Sequence, residues 1–127
     1  MATTLALRMK GLWGNVIIMT ITKKHFFADI PDELKEELIE TILHTYNFRI
    51  ERIVSKGHRS KEGFWYDQSE NEWVILLKGG ATLCFENQSQ AINMNPGDYL
   101  HIEKHVRHRV EWTNPDEETI WLAVYYC

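Results

Sequence analysis

The chain has 127 residues, room for one domain and little more. Its 44% hydrophobic and 25% charged residues suit a globular protein. The net charge of −4 and a single small basic cluster (Arg107 and Arg109 near His105 and His108) argue against nucleic acid as a partner. No run approaches the ~20 apolar residues of a membrane helix, and two cysteines, Cys84 and Cys127, are too few for a disulfide framework.

Both cysteines read as reduced thiols, which points to a reducing compartment, the cytoplasm. Residues 1–19 read as an N-terminal extension, floppy or adding an edge strand, with Met19 available as an alternative start. Arg8 and Lys10 lie inside this segment and no small-residue cleavage site follows, which makes a poor signal peptide. Residues 20–127 read as one domain.

The first predicted element is an amphipathic helix over residues 31–45. Pro31 suits the first helical position, and Asp32 and Glu33 complement the helix dipole. Leu34, Leu38 and Ile42 recur every four residues, widened by Ile39 and Leu43. Lys35, Glu36, Glu37 and Glu40 take the opposite side.

After it the period changes to two. Phe48, Ile50, Arg52 and Val54 share one strand face, and Arg49, Glu51 and Ile53 the other. Further strands are predicted at residues 64–66, 73–77, 81–85, 91–94, 99–102, 106–112 and 119–126. The segments between them carry turn chemistry. Gly79-Gly80 suits a two-residue hairpin, and Pro96-Gly97 a type II turn with Asp98 bonded locally. About eight short strands at this spacing imply an all-β sandwich or barrel.

Two segments then resemble the paired motifs of the cupins. Pro96-Gly97-Asp98, an apolar strand and His108 are similar to the second motif. Glu72, six residues and Gly79 are similar to the latter half of the first. The resemblance spans roughly residues 48–126 and implies a double-stranded β-helix, or jelly-roll, barrel with a ligand site in its mouth. The stretch 63–68 resembles a small-cupin subgroup of unassigned activity. The family's two first-motif histidines are absent: their places fall on Trp65 and Asp67, or on Tyr66 and Gln68, according to the spacer.

A cupin metal site uses three histidines and one glutamate, so the resemblance implies a divalent metal (iron, manganese, nickel or zinc) held by Glu72 and His108 with Asp67 and His105. Trp65, Arg107, Arg109 and Trp112 are the candidate substrate-binding residues, and Tyr66 and His108 the candidate acid and base. Glu72 paired with an arginine and His108 as a hydrogen-bonded core residue are the bland alternatives. Three functions follow: a metal-dependent oxygenase or isomerase, a metal-free epimerase or isomerase, and a non-enzymatic ligand-binding or sensing module. All three take a small-molecule ligand, and the resemblance also implies a homodimer.

Overall fold

The computed structural model describes residues 3–10 and 16–127, with side chains from residue 20 onward. The chain divides into two compact units, residues 1–31 and 32–127. In the first, β1 (Thr3–Lys10) and β2 (Val16–Lys23) form an antiparallel pair, with Thr3 opposite Lys23 and Lys10 opposite Val16.

The second unit is all β. A five-stranded sheet has the order β3-β4-β10-β5-β8, built from Leu38–His44, Phe48–Ser55, Thr119–Tyr126, Asn71–Lys78 and Tyr99–Ile102. A three-stranded sheet has the order β7-β6-β9, from Ile92–Met94, Ala81–Phe85 and His108–Thr113. Every pairing is antiparallel. Strand alternation sends Val74 and Leu76 of β5, Leu83 and Phe85 of β6 and Trp121 and Ala123 of β10 into one buried core between the sheets. Burying each large apolar side chain there is worth about 1.5–3 kcal/mol. This is the jelly-roll architecture that the turn spacing and the motif order imply.

Three local expectations fail. The strand over residues 64–66 is a loop that touches the sheet through a single bridge from Tyr66 to His108. The helix over residues 31–45 does not form; residues 38–44 are β3, the edge strand beside β4, with Ile39 opposite Ile53. A spacing of four fits a helical turn and two strand repeats equally, so Leu34, Leu38 and Ile42 do not discriminate. The β-branched Ile39, Thr41 and Ile42 favour the strand once a neighbouring sheet edge offers hydrogen bonds. Among the described residues there is no helix, hence none long and apolar enough to cross a membrane.

Gly79-Gly80 is not a hairpin either. It joins β5 to β6, which lie in different sheets, so the chain turns a corner there. Glycine is required: Gly79 has φ +86°, and a Cβ would come within 2.6 Å of the Glu118 carbonyl oxygen and Thr119 Cα. Pro96-Gly97 forms the expected turn, with Gly97 at φ +95°, Asp98 N–H donating to Asn95 O at 2.9 Å and Asn95 N–H to Asp98 Oδ2 at 2.8 Å.

Candidate functional site

Between the two sheets lies a cavity of about 90 Å³, space for on the order of half a dozen waters or the body of a small organic molecule. Its apolar wall includes Ile53, Val74, Leu83, Ile102 and Val110, with Trp121. Its polar lining is Glu37, Tyr66, Gln68, Glu72, His108 and Tyr125.

Strand register puts these groups together. Glu72 shares the inward face of β5 with Val74 and pairs across to Tyr125 of β10 on one side and Ile102 of β8 on the other. His108 opens β9. Its backbone exchanges two hydrogen bonds with Tyr66, at 2.7 and 3.1 Å, which brings the 64–68 loop against the barrel mouth. Gln68, two residues on, then turns inward and donates from Nε2 to Glu72 Oε1 at 3.0 Å. The first-motif places are thus filled at the cavity by Tyr66 and Gln68.

The imidazole of His108 is tightly oriented. Its ring lies between Tyr66 and Phe85, at centroid distances of 5.6 and 5.9 Å. Nδ1 is 2.8 Å from the Val106 carbonyl oxygen. A carbonyl only accepts, so Nδ1 carries a proton, and in the neutral ring Nε2 turns its lone pair to the cavity. Nε2 faces Glu72 Oε1 at 3.9 Å, and both side chains are more than nine-tenths buried.

Burial raises the Glu72 carboxyl above its ordinary range, with the Gln68 hydrogen bond and His108 partly opposing it. Burial likewise raises the Tyr66 phenol, helped by Glu37 and Glu72, and pushes the Tyr125 phenol far up. Both phenols therefore stay protonated near neutral pH and act as hydrogen-bond donors. Glu37 is raised by burial first, with His58 opposing and Glu72 adding. Its segment is tied down by His58, whose Nε2 donates to Leu34 O at 3.1 Å while Nδ1 accepts from Lys56 N–H at 2.9 Å.

The other candidates lie elsewhere. Asp67 and His105 pair with each other, Oδ1 to Nδ1 at 2.8 Å, on the exposed rim. His105 there has φ +65°. Arg107 pairs with Glu86 at 2.7 Å, Arg109 with Glu111 at 3.2 Å, and Arg109 sits over the Trp65 ring at 5.9 Å. Trp112 is exposed. None of Trp65, Asp67, His105, Arg107, Arg109 or Trp112 lines the cavity. Sequence reasoning missed Glu37, assigned to a helix's solvent face, and Tyr125, read only as strand.

The proposed tetrad of Asp67, Glu72, His105 and His108 is therefore split into two pairs. Among the described residues no three of His, Cys, Asp or Glu gather as a metal ion requires. Glu72 and His108 with a carboxamide and a phenol make a poor donor set for iron, manganese, nickel or zinc. The residues present do not fit the family's metal.

The family model for the cupin domain matches residues 52–125. A solved structure from Ralstonia eutropha JMP134, named as a candidate mannose-6-phosphate isomerase, is 41% identical, with TM-score 0.79 over 82% of this chain and 96% of that one. A cupin superfamily protein from Desulfitobacterium hafniense DCB-2 is 16% identical, with TM-score 0.62 over 76% of this chain and 83% of that one. An RmlC-like cupin from Methanocaldococcus jannaschii is 18% identical, with TM-score 0.60 over 77% and 86%. No curated protein matches.

Proposed function

This chain belongs to the cupin family, and on that premise we propose that its barrel cavity binds a small organic molecule and moves a proton on it, as an isomerase or epimerase does. One observation carries this reading: His108 Nε2 and Glu72 Oε1 face each other at 3.9 Å across a largely apolar-walled cavity. Each is suited to a different half of a proton transfer. The free lone pair on Nε2 is a base. The Glu72 carboxyl, raised by burial, holds its proton to higher pH than an ordinary glutamate and is an acid.

The chemistry balances without a further reactant. Nε2 takes a proton from the carbon next to a carbonyl while Glu72 gives one to the carbonyl oxygen, producing an enol. Return of a proton to the neighbouring carbon, or to the opposite face of the first, gives the isomer or epimer, and loss of the hydroxyl proton restores Glu72. Tyr66 and Tyr125, held protonated, donate hydrogen bonds to substrate oxygens.

The name of the Ralstonia eutropha neighbour supports this reaction class, since conversion of an aldose to a ketose is a net proton shift between adjacent carbons. Its phosphorylated substrate is another matter. A phosphate dianion calls for arginine or lysine, and among the described residues neither lines this cavity. A small unphosphorylated carbonyl compound suits the cavity better.

The test is solvent exchange. The protein is incubated in deuterium oxide with small aldoses, ketoses and 2-oxo acids, and loss of the proton next to the carbonyl is followed by NMR. Enzyme-dependent exchange that disappears in His108→Ala is expected. No exchange above background with any carbonyl compound would remove the reading and leave a ligand-binding module.

A further inference from the structure

The charge around the cavity is one-sided. Glu37 and Glu72 both line it, and among the described residues His108 is the only lining side chain able to carry positive charge. The guanidinium of Arg49, over the Tyr125 ring, is already engaged. Arg49 lies 4.2 Å from the Tyr125 ring centroid, donates to Glu70 Oε2 at 2.6 Å and sits 3.6 Å from Glu51. Its charge is balanced by those two carboxylates, while the charge of Glu37 is eased only by His58 and opposed by Glu72. Glu37 has no hydrogen bond or ion pair of its own among the described residues, although burial and the neighbouring Glu72 both raise the cost of its charge. Tyr66, Tyr125 and Trp121 add aromatic surface, which attracts cations through the ring quadrupole. The Nε2 of His108 also faces the cavity, 3.9 Å from Glu72 Oε1.

An inorganic cation does not match this arrangement. A metal ion demands several donors converging on one point at about 2.0–2.6 Å, and no such group exists among the described residues. A cation spread over a carbon skeleton makes different demands. It takes one carboxylate, apolar wall and aromatic faces several ångströms apart, which is what the cavity offers.

Resting on the reading that this cavity is the ligand site, we propose that its ligand is a small organic ammonium, with Glu37 as the anchor for the charged nitrogen and the carbon body against Ile53, Trp121 and Tyr125. The amine end then lies at Glu37, and the reacting carbons reach His108 and Glu72. Binding the cation at Glu37 draws that carboxyl towards its ionised form and leaves Glu72 to hold its proton.

Three probes of one size separate charge from shape: butylammonium, butan-1-ol and butyrate. Their binding to the full chain is followed by Trp fluorescence and by ligand-observed NMR. Butylammonium is expected to bind about tenfold more tightly than butan-1-ol, with butyrate weakest. Glu37→Gln, which has no hydrogen bond to lose and whose folding is checked by its melting profile, is expected to abolish the cation's advantage. The inference is overturned if butan-1-ol or butyrate binds as well as the ammonium, if none of the three binds at millimolar concentration, or if the advantage survives in Glu37→Gln. Solvent exchange separates this from the reading it rests on. Exchange without cation preference removes only the ammonium ligand, and cation preference without exchange removes only the proton transfer.

Discussion

Two carboxylate–imidazole pairs sit at this barrel mouth, and the closer one has the weaker claim to function. Asp67 and His105 meet at 2.8 Å but are 49% and 64% exposed. Glu72 and His108 stand 3.9 Å apart but are 8% and 7% exposed. At the rim, water and salt screen the attraction, so a good hydrogen-bond distance there contributes about 0–1 kcal/mol. In the cavity the low dielectric lets His108 act on the Glu72 carboxyl over a longer gap. Distance alone would rank the pairs wrongly; burial decides which of them can do acid–base chemistry.

The sharpest way to break this comparison is to delete one imidazole from each pair. His108→Ala removes the proposed base, and the exchange rate with a responsive carbonyl compound should fall by about 10²–10⁴-fold, the usual worth of a positioned base. His105→Ala should change it by no more than about fivefold, the ceiling set by a ~1 kcal/mol surface pair. Equal losses in the two variants would mean that the rim pair takes part in the chemistry.

A smaller effect concerns stability and its dependence on pH. The folded state raises the Glu72 carboxyl above its ordinary value of 4.5, so the native protein binds that proton more tightly than the unfolded chain does. Between the ordinary and the raised value the native state carries more protons, and stability falls as pH rises through that window. Glu72→Gln cannot ionise and should escape that fall. The melting temperature of the variant relative to wild type should therefore be more favourable at pH 8 than at pH 4. The opposite trend in calorimetry would show that ionised Glu72 stabilises the fold, as a paired carboxylate at the surface does.

The buried pair was also the more legible one. Glu72 and His108 stand out in the sequence through their resemblance to the two cupin motifs, in which Gly79 follows Glu72 and the Pro96-Gly97 turn precedes His108. The inward residue of the 64–68 loop was not legible, because a spacer of three or four residues reverses which side chains face in. The backbone bridge between Tyr66 and His108 sets that parity and places Gln68 on Glu72. Glu37 was hidden for a different reason. The four-residue spacing of Leu34, Leu38 and Ile42 is shared by helix and strand. Only pairing of Ile39 with Ile53 across the sheet edge, a contact between segments distant in sequence, decides for the strand and brings Glu37 to the cavity. The sheet as a whole was legible because its strands alternate and its turns use glycine and proline where positive or fixed φ is needed.

The smallest predicted effect tests the rim pair by itself. His105 holds φ +65°, a left-handed backbone that costs an L-residue about 1–2 kcal/mol and glycine almost nothing. Two hydrogen bonds hold it there: the Asp67 contact and its own N–H donated to Gln68 O at 2.7 Å. His105→Ala loses the side-chain contact and keeps the strain, so it should destabilise by up to about 1 kcal/mol. His105→Gly loses the same contact but relieves the strain, so it should unfold at least as high in urea as wild type, about 1 kcal/mol above the alanine variant. Raising the salt concentration should narrow the gap between wild type and His105→Ala, because the pair is exposed. A loss of 3–5 kcal/mol in His105→Ala, the scale of a broken buried ion pair, would show that the rim pair is shielded from water, and the contrast between the two pairs would then fail on its own terms.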